Sequence, residues 1–243
     1  MSKSKILITT CLLSASLLLS GCLSVLEEVT LNKDGSGTYS LTLDMSAVKG
    51  FIEMAKEMAQ DSSANKNEVP EIPNIQDASM TQLGEQLISV KTSLSGIAGI
   101  SNVQETNDTT EFKFGYNFQF ATVEALNRAL RVINKEKYES KTGEVFKFDG
   151  KVFVRNADGD IGAQLQNALA ENDEEGSSDM VKMFFSDFTY TQKYRFAEQK
   201  VKKNSNKSGS IDADEKVVTI ELKPFGEQNP QNPATVATKI VVK

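Results

Sequence analysis

The chain has no histidine, and its two cysteines, Cys11 and Cys22, both fall within the first 22 of its 243 residues. Everything after Cys22 therefore lacks both thiol and imidazole. That excludes Ser-His-Asp and Cys-His catalysis, CxxC redox chemistry, internal disulfides and any zinc site built from Cys or His. It also removes the side chain that most easily moves protons near neutral pH. Basic residues are the minority, 27 Lys and Arg against 33 Asp and Glu, for a formal net charge of −6. An acidic chain has no overall electrostatic drive toward nucleic acid or anionic headgroups, so no nucleic-acid partner is expected. Long apolar runs are scarce too. Beyond residue 22 no stretch approaches the about 20 apolar residues that a spanning helix requires.

The chemistry left open uses carboxylates, as in glycoside hydrolysis, or a Ser-Lys pair. Neither shows a recognisable spacing, and most of the acidic residues read as solvated surface. The expectation is a protein that is not an enzyme, with no catalytic residues and no cofactor.

What is present starts at the N-terminus. Lys3 and Lys5 precede an apolar run over residues 6–19, fourteen residues that are too few to span a bilayer. The run closes on Leu19, Ser20, Gly21 and Cys22. This resembles the lipobox of bacterial lipoprotein signals, with Leu at −3, small residues at −2 and −1, and Cys at +1. The resemblance implies cleavage after Gly21, removal of residues 1–21 and acylation of Cys22. An ordinary secretory signal with a fortuitous cysteine is the alternative. Acyl chains anchor through about 0.8 kcal/mol per buried CH₂, and a second chain makes attachment stable. After cleavage the second residue is Leu23, not Asp. By resemblance to enterobacterial sorting this favours the outer membrane, the outer face of the cytoplasmic membrane being the other address. Losing Lys3 and Lys5 takes the net charge from −6 to −8, so the lipid, not a basic patch, is the expected link to the membrane.

The mature chain reads as one α+β unit. Residues 22–30 are the acylated N-terminus and first strand, 31–155 an α+β core, and 156–243 a β-rich extension of the same domain, its later strands either widening the sheet or building a smaller β lobe. Val25 to Thr30 and Gly37 to Asp44 are two strands around Asn32-Lys33-Asp34-Gly35-Ser36-Gly37, where Asp-Gly supplies the turn. Asn32, Asp34 and Ser36 also match the first half of a calcium loop. Leu43 stands where its bidentate Glu belongs, however, and strands flank the turn, so no metal is expected.

Ser46 can cap a helix through about Gln60, with Val48, Phe51, Ile52, Ala55 and Ala59 on one face and Met54 and Met58 beside it. Residues 61–74 read as a solvated connection. A second helix over about residues 79–94 presents Met80, Leu83, Leu87, Val90 and Leu94. Phe112, Phe114, Tyr116, Phe118 and Phe120 then fall on every second residue, which places five rings on one face of a strand paired with residues 100–106. That face is read as core, an exposed ligand platform being the alternative. Thr122 caps a third helix with Val123, Leu126, Leu130 and Ile133 inward. Residues 145–148 and 151–155 form a hairpin about Asp149-Gly150. A short helix is expected over 161–170 and an acidic loop over 171–179. Phe188, Tyr190, Tyr194 and Phe196 mark another aromatic strand, residues 200–214 a polar excursion, and 216–223 and 236–242 the last strands.

The order strand, helices, strand, strand, helix, strand fits a ferredoxin-like split βαβ core with two to three helices on one face of a mainly antiparallel sheet, plus extra C-terminal strands. The lipobox, the Asn32–Gly37 turn and the late turn Ser208-Gly209-Ser210-Ile211-Asp212 before Val217-Val218-Thr219 together resemble LppM-type bacterial lipoprotein domains. Similar layouts occur in uncharacterised lipoproteins of the Bacteroidota. The resemblance implies an α+β domain outside the membrane, concerned with lipid handling or envelope processes. The expected function is a lipid-anchored envelope protein, held to the membrane by its N-terminal lipid, that binds a partner protein or an amphiphile. The alternative is a carboxylate-dependent hydrolase of envelope glycans.

Overall fold

The computed structural model describes residues 23–47, 49–50, 78–133, 144–156, 187–224 and 235–243. Strand β1 (Ser24–Leu31) turns directly into β2 (Gly37–Asp44), paired in antiparallel register from Ser24 opposite Asp44 to Leu31 opposite Gly37. The turn closes with the Asn32 N–H on the Ser36 carbonyl at 2.8 Å, and Gly35 takes the positive φ of 85° that the sharp reversal needs. Its place in the sequence was legible from the Asp-Gly pair.

The helices follow their apolar spacing. Residues 46–47 and 49–50 are helical, and the rest of the helix expected to reach Gln60, with the connection over 61–74, lies outside the described residues. Helix α1 (Ala78–Ser95) buries Leu87 and Leu94 and half-buries Val90; the side chains of Met80 and Leu83 lie outside the description. Helix α2 (Val123–Ile133) is capped as expected, the Ala125 N–H reaching Thr122 Oγ1 at 3.2 Å. Val123, Leu126 and Leu130 are buried and Ile133 is half-buried. The helices touch each other and pack over β3 (Ile100–Asp108) and β4 (Lys113–Phe120).

Strands β7 (Thr189–Phe196), β9 (Gly209–Ile211) and β10 (Val217–Leu222) join these in a seven-stranded sheet of order β3-β4-β2-β1-β7-β10-β9. All its pairs are antiparallel except β1 with β7, which run parallel from Ser24 opposite Thr189 to Leu31 opposite Phe196. The fold is α+β. The split βαβ places β3, β4 and β2 as expected, but the fourth position, beside β2, belongs to β1 and not to residues 146–148. The short turn explains this, since β1 meets β2 across a local closure that costs little chain entropy.

Strands β5 (Phe146–Phe148), β6 (Val152–Arg155), β8 (Val201–Asn204) and β11 (Thr238–Val242) form a second sheet in the order β5-β6-β11-β8. Residues 200–214, expected as a polar excursion, thus contain two strands. Both are short and lie at sheet edges, where polar side chains are favoured and a period-two apolar signal is absent. The expected helix over 161–170 and the acidic loop over 171–179 lie outside the described residues.

The aromatic rows are core. Phe114, Tyr116, Phe118 and Phe120 on β4 are buried, as are Tyr190, Tyr194 and Phe196 on β7 with Phe188 just before it. Phe112 differs from the expected row in its backbone, a left-handed φ of 55° that closes the turn before β4, although its ring is buried as well. Among the described residues no helix is long and apolar enough to cross a membrane.

Candidate functional site

The inward face of the large sheet can be followed as rows of paired residues. One row runs Phe118, Tyr39, Val29, Tyr194, Val218 and is apolar apart from its tyrosine hydroxyls. The next runs Tyr116, Leu41, Glu27, Gln192, Ile220, and it places a carboxylate and an amide side by side in the interior. Period-two alternation along β1 dictates this, since Val25, Val29 and Leu31 point inward and Glu27 must follow them.

Arg155 meets Glu27 from the second sheet. Its Nε donates to Glu27 Oε1 and its Nη2 to Glu27 Oε2, each at 3.2 Å. Tyr194 donates to Oε1 at 3.0 Å and Tyr190 to Oε2 at 2.7 Å, so four donors converge on one carboxylate. Arg155 also gives Nη2 to the Tyr190 hydroxyl at 3.1 Å and Nη1 to the Asn156 carbonyl at 3.2 Å, and its guanidinium lies 5.8 Å from the Phe146 ring centre. Glu27 is 3 % exposed and Arg155 2 %.

Electrostatics follow from that seclusion. Burial, and then the Glu27 charge, hold the Tyr190 and Tyr194 hydroxyls well above the usual phenol value, so both remain neutral donors. Burial opposes the charge on Arg155, but the Glu27 carboxylate outweighs it and the guanidinium is held more firmly protonated than usual. Such a pair gains from its bidentate geometry and loses from desolvation, so its main effect is to hold β1, β6 and β7 in one arrangement. With four donors on its two oxygens and both charged groups buried, the centre clamps the two sheets together. Gln192, opposite Glu27, is fully buried, and neither amide atom has a hydrogen-bond partner among the described residues.

A second buried amide closes the edge of the small sheet. Asn127 Oδ1 accepts from the Val145 and Phe146 N–H groups at 3.1 and 2.9 Å, and its Nδ2 donates to the Phe146 carbonyl at 2.8 Å. The side chain imitates a neighbouring strand, so α2 docks onto β5 without leaving its amides unpaired.

Of the residues singled out from the sequence, Leu19, Ser20, Gly21 and Cys22 lie outside the described residues. The next one, Leu23, is already buried, and its carbonyl accepts the Thr189 N–H at 3.1 Å. Asn32, Asp34 and Ser36 come together in the hairpin turn, where they satisfy one another. Asn32 Nδ2 donates to Ser36 Oγ at 2.9 Å, and Ser36 gives both its N–H and its hydroxyl to Asp34 Oδ1 at 2.9 and 2.7 Å. The sequence reading passed over Glu27, Arg155 and Gln192. Their signal was a polar residue at an inward step of an otherwise apolar alternation.

Turn carboxylates set the pH response. The Ser36 hydroxyl and N–H lower the pKa of Asp34; the Lys151 and Val152 N–H groups lower that of Asp149; the Val217 N–H, then that of Lys216, lower that of Asp212. A carboxylate depressed on folding supplies stability above its unfolded value, here near 3.8, and loses it as pH falls through the lower folded value. With no histidine to titrate, the thermal midpoint should stay level between about pH 5 and 8 and decline below about pH 4. Calorimetry across that range checks it, and a step near pH 6 to 7 would contradict it.

No protein-family model matches the chain, and no curated protein matches it in sequence. Among solved structures it is similar to the NMR structure of the LppM folded domain of Mycobacterium tuberculosis, at 12 % identity and a TM-score of 0.37, over 90 % of this chain and 89 % of that one. So distant a likeness defines neither a family nor an activity.

Proposed function

We propose that the protein is a lipid-anchored lipoprotein of the bacterial envelope, held at the outer membrane, that acts by binding a partner protein or an amphiphile and not by catalysis. The observation that carries this reading is the sequence Leu19-Ser20-Gly21-Cys22 placed immediately before a residue that is already core. An acylated Cys22 would leave no linker, so the domain would sit directly on its membrane. The missing histidines and the saturated state of Glu27 support a binding role.

Replacing Cys22 with Ala tests the anchor. Metabolic labelling with a radioactive fatty acid should mark the parent and leave Cys22→Ala unlabelled, with the variant accumulating as uncut precursor. A labelled, processed variant would end the lipobox reading.

A further inference from the structure

Net charge conceals how the charges are arranged. The strands of the second sheet read Phe-Lys-Phe, Val-Phe-Val-Arg, Val-Lys-Lys-Asn and Thr-Lys-Ile-Val-Val, and they contain five basic residues and no acidic one. Arg155 points inward and is neutralised by Glu27. The inward row of Phe146, Arg155 and Thr238 fixes the opposite direction for the intervening residues, so Lys147, Val154 and Lys239 share one outward row. Val152, Val241 and Lys203 form the next. The three lysines are exposed and the three valines half-buried. Among the described residues only Lys147 of the three is ion-paired, with Glu144 at 2.8 Å. The outward face of the large sheet is built differently. There Lys193 pairs with Glu28 and Lys113 with Asp44, so cations and anions alternate.

We propose that the outward face of the second sheet docks on an anionic phospholipid surface. A patch of half-buried valines framed by exposed lysines suits that occupant. The ammonium groups reach phosphates while their stems and the valines lie against the interface. Each lysine near such a surface favours contact by about fivefold in occupancy. Proximity to the bilayer rests on the anchor proposed above; the charge pattern does not.

The full-length protein, purified from membranes in detergent, is reconstituted on vesicles of phosphatidylcholine alone or mixed with phosphatidylglycerol. The acetylation rate of each lysine is then read by mass spectrometry. Lys147, Lys203 and Lys239 should react about fivefold more slowly on the anionic vesicles, with Lys113 and Lys193 unchanged. High salt should remove the difference. In Lys203→Glu/Lys239→Glu, altered only at exposed positions, protection of Lys147 should disappear. Equal rates on both vesicles, or protection spread evenly over all five lysines, would overturn the proposal. So would protection that requires an added acidic protein instead of anionic lipid. Failure to sediment with neutral vesicles, with the three lysines still protected on anionic ones, would count against the anchor and leave the docking face standing.

Discussion

Arg155→Leu is expected to cost about 3–5 kcal/mol, the penalty for leaving a buried charge without its partner. Glu27, 3 % exposed, would keep the Tyr190 and Tyr194 hydroxyls but lose the Arg155 guanidinium, its one cation partner among the described residues. Glu27→Leu should cost a similar amount, because it strands the guanidinium. The double variant Glu27→Leu/Arg155→Leu should then be more stable than either single one. Recovery should be incomplete, since the two tyrosine hydroxyls would be left buried without an acceptor, each worth about 1–3 kcal/mol. Adding Tyr190→Phe and Tyr194→Phe should restore much of the remainder. Urea unfolding of the five proteins measures this cycle. Single variants within about 0.5 kcal/mol of the parent would show that water reaches the centre.

Phe153→Ala is expected to be comparably damaging, about 3–5 kcal/mol for a fully enclosed phenylalanine. Phe153 is wholly buried, and its ring centre lies 4.9 Å from Tyr194, 5.5 Å from Phe146 and 6.0 Å from Phe196. It therefore joins its own sheet to β7 of the large one, and the loss should be felt where the two layers meet. Hydrogen exchange should show β6 and β11 losing protection well before β1 and β2. Uniform acceleration across both sheets would mean that Phe153 supports the whole core equally and does not act as the hinge of the layers.

The parts of this structure that were legible are those decided locally. Phe114, Tyr116, Phe118 and Phe120 at alternate positions specify a strand and its buried face whatever the partner, and Asp34-Gly35 specifies a hairpin from the backbone alone. Thr122 before Val123 marks a helix start for the same reason. Partner choice was not legible. Nothing near Val25 says that β1 will take β7 on its free side, because that pairing joins residues more than 160 positions apart and is settled by the packed whole. The polar centre was missed through the same gap. Glu27 looks like one surface carboxylate among 33 until the register sets it opposite Gln192 and beneath Arg155. The basic face was hidden by summation, its lysines cancelled by acids placed elsewhere.

The parallel pairing of β1 and β7 also sets a timetable. A chain made from its N-terminus can close β1 onto β2 at once, yet the other edge of β1 stays open until residues 189–196 have been made. Glu27 waits with it for Arg155, Tyr190 and Tyr194, the last of them 167 positions downstream. A nascent chain therefore cannot complete its interior until residues 189–196 exist, and its last buried hydrogen bonds close only after most of its length has been made.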